Sequence, residues 1–192
     1  MSSIAPDVVL AGETLRPLKR SEYDRLVALG AFDNEHVELL AGVLVAVSPQ
    51  GARHAQTIQR LTQRLVLALA GRAEVRVQLP LAVSAESEPE PDFAVVVPGD
   101  YSEDHPGHAL LVIEVAETSQ HRDRTLKGRL YAAAGIPEYW LCDLTTCAIE
   151  VHTEPASDGY RRLETRRAGD TVAPAAFVDI VLGVSDLLPR PR

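Results

Sequence analysis

Two carboxylates occupy positions where an apolar strand should exclude them. Asp92 opens the run DFAVVV, and Glu114 interrupts the run LLVIEVA. An ionised acid in a buried strand is costly unless it is paired or coordinates a metal. If the two strands are neighbours, both acids converge on one hard cation. Mg²⁺ suits such a pair, because it takes one or two protein carboxylates and fills its other positions with water and phosphate oxygens. The expected cofactor is therefore Mg²⁺ or Mn²⁺, with Asp92 and Glu114 as its ligands. Further along, Asp123, Lys127 and Tyr131 are spaced four apart and share one helical face. That face is separate from the one carrying Leu126 and Leu130, which are expected to pack inward. Lys127 can then point back towards the strand end, where its ammonium would orient the attacking water and balance charge on a pentavalent phosphorus.

Three more residues are placed to join them. Glu38, inside the apolar stretch VELL, is expected to complete the metal shell or hold a metal-bound water. His54 stands at or near the start of a long helix, where it meets a phosphate or helps begin the helix. Gln78, in EVRVQLPL, approaches from the sheet. Each residue also has an ordinary role open to it. Asp92 after Pro91 suits a turn, Glu114 suits a buried acid satisfied by an arginine, and Asp123 with Lys127 suits a helix-surface ion pair. The combination separates these readings. An acid at a strand start, an acid in the next strand and a lysine on the following helix form the layout a metal-dependent phosphodiesterase needs.

The elements that must carry these groups are visible in the hydrophobic pattern. SEYDRLVALG predicts a short helix with Ser21 as N-cap, Tyr23, Leu26 and Val27 as its apolar stripe and Gly30 as its stop. VELLAGVLVAVSP predicts a hairpin turning at Ala41 and Gly42. In HAQTIQRLTQRLVLALAGR, Ile58, Leu61, Leu65 and Leu69 recur at helical spacing and predict a long helix with one buried face. EVRVQLPLAV, DFAVVV and LLVIEV then read as successive strands, the last two apolar enough to be covered on both faces. A second helix through QHRDRTLKGRLYAAA is capped by Thr118 or Ser119 and stopped by Gly135, with Leu126, Leu130 and Ala134 as its core stripe. EYWLCDL and AIEVHT are expected to pair around Thr145 and Thr146, and FVDIVLGVSDLLP to supply a final strand and a closing segment.

With 192 residues, 46% of them apolar and 24% charged, the chain is expected to form one domain, with residues 1 to 17 as an N-terminal arm. Its longest apolar runs fall far short of the roughly 20 residues a membrane helix needs. No basic segment followed by an apolar one opens the chain, so a soluble cytoplasmic protein is expected. Cys142 and Cys147 lack partners at zinc-site spacing and suit a reducing compartment. A net charge of −8 opposes strong non-specific attraction to a polyanion. The arginines gather in three stretches, around residues 53 to 76, 122 to 129 and 161 to 167, which by themselves read as solvated faces. Contact with DNA would have to be local, and a homodimer or a partner supplying basic surface is expected.

The order VELLAGVLVAVSP, RHAQTIQRL, EPEPDFAVV, LVIEVAETS and DRTLKGRLYAAAGIPEYWLCD resembles the Uma-type family, a bacterial family of restriction-endonuclease-like proteins within the PD-(D/E)XK nuclease superfamily. The resemblance spans roughly residues 20 to 155 and is most specific at PEPD and YAAAGIPEYW. It implies an α/β fold with a central mixed sheet flanked by helices. By it, Pro91 and Asp92 match the PD of the superfamily motif and Glu114 matches the second acid. The strict motif places lysine two residues after that acid, where this chain has Ala116. The resemblance implies that the basic residue has migrated to the next helix as Lys127, and that Glu38 is the extra acid contributed ahead of the core sheet. The activity implied is metal-dependent endonucleolytic hydrolysis of DNA. Two other readings stand beside it: a catalytically silent binding or regulatory module on the same fold, and hydrolysis of some other phosphodiester.

Overall fold

The computed structural model describes residues 16–47, 49–117 and 123–190. Its elements are α1 (Arg20–Ala28), β1 (Val37–Leu40), β2 (Val43–Ala46), α2 (Ala52–Leu69), β3 (Glu74–Val77), β4 (Phe93–Val96) and β5 (Leu111–Ala116). A π-helical turn at Asp123–Lys127 leads into α3 (Gly128–Ala133), then β6 (Glu138–Asp143), β7 (Ala148–Ala156) and β8 (Gly159–Arg166). The chain closes with β9 (Thr171–Val172), a 3₁₀ turn (Ala175–Phe177), β10 (Leu182–Gly183) and α4 (Val184–Leu187). Among the described residues, no helix is long and apolar enough to cross a membrane.

Six strands form a mixed sheet in the order β3-β4-β5-β6-β7-β8. Every neighbouring pair is antiparallel except β5 and β6, which run parallel. A parallel pair cannot be closed by a tight turn, so the chain leaving β5 must cross a face of the sheet before β6 begins. The described part of that crossing holds the elements Asp123–Lys127 and Gly128–Ala133, which include Lys127 and Tyr131. One face of the sheet is covered by α2 and α4, with Leu61, Leu65 and Leu69 packed on Phe93, Ile113 and Trp140. The opposite face carries Val112, Ala116, Tyr131 and Tyr139. Glu114 lies two residues from both Val112 and Ala116 along β5 and so shares this second face with them, under the crossover. β4 and β5 are buried along their whole length, as their continuous apolar character required.

The hairpin of β1 and β2 turns at Ala41 and Gly42, both with positive φ, as a two-residue hairpin turn demands. At Gly42 any side chain would also collide with Pro17. β1 is tied to the β3–β4 connection where the Glu88 N–H donates to the Leu39 carbonyl over 2.8 Å and Ser87 Oγ accepts from the Ala41 N–H over 2.9 Å. This attachment brings Glu38 to the sheet.

Several local expectations need correction. The N-cap of α1 is Lys19, not Ser21, with the Glu22 carboxylate accepting from the Lys19 N–H over 3.0 Å. Val27 is exposed, leaving Tyr23 as the buried residue of that helix. β3 ends at Val77, because Gln78 adopts a left-handed φ of 52°. The strand expected in FVDIVLGVSDLLP shrinks to Leu182–Gly183, paired with Val172 and Thr171. The long strand β8 had no counterpart in the sequence reading. The proposed caps Thr118 and Ser119 lie outside the described residues. The second helix is also wound differently from expectation at its start, as a π-turn. Asp123, Lys127 and Tyr131 form its buried face, while Leu126 is only partly covered. A π-turn adds a residue to the helical repeat, and the three groups that the spacing of four put on one face lie buried together, with Leu126 left at the edge of the core.

Candidate active site

A cavity of about 960 Å³ opens beside the ends of β4 and β5, and its lining includes Glu38, His54, Gln78, Asp92, Glu114, Asp123 and Lys127. Seven of the eight residues expected at the site therefore meet here. Tyr131 stands behind the wall and touches it through Glu114.

Lys127 is the hub. It is 3% exposed, and its Nζ lies 3.0 Å from Glu38 Oε2 and 3.0 Å from Glu114 Oε1. Burial works against its charge, but the carboxylates of Glu114, Glu38 and Asp123 outweigh burial and raise its pKa above the ordinary lysine value. The ammonium is thus locked in its charged form. Tyr131, also buried, donates its hydroxyl to the same Glu114 Oε1 over 2.6 Å, and burial beside that carboxylate pushes its own pKa well up. Two donors on Oε1 account for both of its in-plane lone pairs and leave Oε2 of Glu114 to the cavity. Burial pushes the Glu114 carboxyl up to about 8; Lys127 opposes the shift, while the charges of Asp123, Asp92 and Glu38 add to it.

Asp92 is held by three donors from three segments. His54 Nε2 lies 3.1 Å and Gln78 Nε2 3.2 Å from Asp92 Oδ1. The Val115 N–H donates to Asp92 Oδ2 over 2.8 Å, so Asp92 is bonded to the residue following Glu114. Gln78 owes its reach to its left-handed backbone, which turns the chain out of β3; its own N–H donates to the Asp92 carbonyl over 3.1 Å. A non-glycine residue held there costs of order 1 kcal/mol or more, and such positions gather at functional sites. His54 is the third residue of α2, whose N-cap Gly51 also lines the cavity.

The sequence reading missed His36 and Glu90 at the rim. His36 Nε2 and Glu90 Oε2 are 2.6 Å apart, and the Glu90 N–H donates to Glu38 Oε2 over 3.1 Å. The acidic loop EPEPD was read as a lead into Asp92, and the hairpin that carries His36 to Glu90 is a long-range contact with no local sequence signal.

Among the described residues, no group of three or more His, Cys, Asp or Glu side chains is placed to hold a metal ion by itself. A hydrated magnesium site asks less: one or two carboxylates, with water and substrate oxygens completing the shell. The donor set fits that requirement. Asp92 and Glu114 face one cavity, Oε2 of Glu114 receives no donor among the described residues, and the acids Glu38, Asp92, Glu114 and Asp123 outnumber the buried lysine among them.

Comparisons with known proteins bear on the family and the fold. The chain matches a solved structure from Anabaena variabilis ATCC 29413, described as a "putative nuclease belonging to DUF820", with a TM-score of 0.69 and 18% identity over 89% of this chain and 97% of that one. At that identity the likeness is one of fold, and it covers the mixed sheet and its flanking helices. No curated protein matches the chain. The model of the Uma2 family, described as "Putative restriction endonuclease", matches residues 20–185. That span takes in the hairpin bearing Glu38, the strands bearing Asp92 and Glu114, and the crossover bearing Lys127, so this chain belongs to the Uma2 family.

Proposed function

We propose that this protein is a metal-dependent endonuclease that hydrolyses phosphodiester bonds of DNA. The observation that carries the reading is the Lys127 ammonium held 3.0 Å from both Glu38 and Glu114 in the wall of the cavity that Asp92 also lines. Asp92 and Glu114 would hold Mg²⁺ or Mn²⁺, which when bound supplies Lewis acidity at a phosphate oxygen and a more acidic water.

The chain's own groups have separate tasks. The carboxylates around Lys127 favour its charged form, which suits it to stabilise charge. It has three N–H bonds and, among the described residues, two carboxylate partners, so a third donor would stabilise charge building on the phosphoryl oxygens. Glu38 and Glu114 fix the position of that charge from two sides. His54 and Gln78 orient the Asp92 carboxylate, and Tyr131 and Lys127 orient Glu114. Positioning of this kind is where most of the catalytic benefit of such a site arises, since the donors are already aligned before charge develops.

The supporting test is a plasmid nicking assay with Mg²⁺ and with Mn²⁺, run alongside Asp92→Ala, Glu114→Ala and Lys127→Met. Metal-dependent nicking by the wild type and loss of about 10²-fold or more in each variant is expected. Wild type that binds Mn²⁺ in calorimetry but nicks no DNA would overturn the proposal. That outcome would favour the silent binding module, a reading supported by the protein donors already present on Asp92 and on one oxygen of Glu114. Small chromogenic diesters extend the same assay to other phosphodiesters.

A further inference from the structure

The sheet ends on one side in β8, eight residues long, and no further strand pairs with it among the described residues. The strand at the opposite edge, β3, has only four residues. A long, straight edge exposes unpaired N–H and C=O groups and is open to another strand unless its side chains forbid pairing. In β8 the side chains select one partner. At its centre stands the tripeptide Arg162, Leu163, Glu164, with Leu163 56% exposed. We propose that β8 is a self-association surface, and that its occupant is the β8 strand of a second copy of this chain, paired antiparallel about a dyad at Leu163.

The charge order sets the register. Two identical strands paired antiparallel through their free edges bring residues of the same parity opposite each other. A dyad at Leu163 sets Leu163 against its own copy and places Arg162 opposite Glu164 of the other chain twice. Arg161 then faces Thr165, and Tyr160 faces Arg166. Moving the dyad by one residue sets Arg162 against Arg162, or Glu164 against Glu164 with Arg162 against Arg166. Directly opposed like charges are unfavourable and opposed unlike charges favourable, so only the Leu163 register combines most of the strand with opposite-charge pairs. Within one chain Arg162 and Arg166 both bond Glu164. A guanidinium carries five N–H donors, so these contacts leave donors for the second copy. Leu163 also acquires an apolar neighbour that a single chain does not provide.

Such a dyad stands perpendicular to the joined sheet and preserves the face each copy presents. Both crossover helices, with their Lys127 residues, would lie on the same side of one twelve-stranded sheet, counted as twice the six strands of one chain. The inference does not depend on catalysis and stands apart from the nuclease reading.

Sedimentation equilibrium of the full chain tests it, with circular dichroism to confirm that each variant is folded. Wild type is expected to dimerise. Arg162→Glu sets two pairs of like charges opposite each other and is expected to weaken the dimer by about tenfold or more. The double variant Arg162→Glu, Glu164→Arg exchanges the charges within the strand and is expected to restore it. A monomeric wild type, a dimer unaffected by Arg162→Glu, or a double variant as weak as the single one would each overturn the proposal.

Discussion

The hydroxyl of Tyr131 lies 2.6 Å from Glu114 Oε1, on the oxygen that also receives Lys127. A phenol with no exposed surface thus holds one side of a carboxylate while the other side faces the cavity. Tyr131→Phe removes this donor with almost no change in shape. The expected loss of stability is about 1 to 3 kcal/mol, the cost of a buried acceptor short of a partner. Mn²⁺ affinity, read by calorimetry, should fall as Glu114 gains freedom to rotate. Unchanged affinity with reduced stability would confine Tyr131 to a packing role.

Lys127→Met should show its effect most strongly in alkaline solution. It leaves Glu38 and Glu114 buried around an uncharged side chain, and removing one partner of a buried ionic cluster costs about 3 kcal/mol or more. Acid relieves the repulsion by protonating the carboxyls, so the deficit in melting temperature should be smaller at pH 5 than at pH 9. A deficit independent of pH would point to lost packing alone.

The Glu114 carboxyl, raised from 4.5 to about 8, links metal to proton. A raised carboxyl supports the fold fully below its unfolded pKa, and that support is lost as pH rises through the folded value. Melting temperature without metal should therefore decline between pH 5 and pH 9. A cation on Glu114 must displace the proton, so Mn²⁺ affinity should rise over the same window with release of up to one proton per ion. Calorimetry in two buffers of different ionisation enthalpy measures the proton directly.

Glu88 offers a control outside the metal ligands. Burial raises its carboxyl from 4.5 to about 7, Asp24 adds to the rise, and Arg20, at 3.6 Å, opposes it. Its support for the fold is complete below pH 4.5 and lost as pH rises through 7. Glu88→Gln should flatten that part of the stability profile by about 1 kcal/mol, a figure reduced for solvent screening. Metal affinity should be unchanged.

The parts of this fold that were legible in sequence are those whose signal is local. Ile58, Leu61, Leu65 and Leu69 announced α2 because one helical face repeats them, and all four are buried. Ala41 and Gly42 announced the hairpin because few turns fit two residues. Glu114 was conspicuous because an acid inside LLVIEV has few structural reasons to be there. β8 was hidden because GYRRLETR carries the charges of an exposed edge and lacks apolar alternation. Gln78 and His54 were named without a partner, since their meeting on Asp92 joins segments 14 and 38 residues away in the chain. The π-turn that leads to Lys127 was not legible, because it leaves no mark in hydrophobic spacing.

That turn has a further consequence. A single surplus residue between Asp123 and Lys127 sets the angle at which the lysine leaves its helix, much as a shim sets the angle of a hinge. Deleting one residue there would restore ordinary α-helical winding and shift Asp123, on the far side of the deletion, relative to Lys127 and Tyr131. The smallest edit able to disarm this protein would then be neither a substitution nor a charge change, but a shortening that leaves every reactive side chain in the gene.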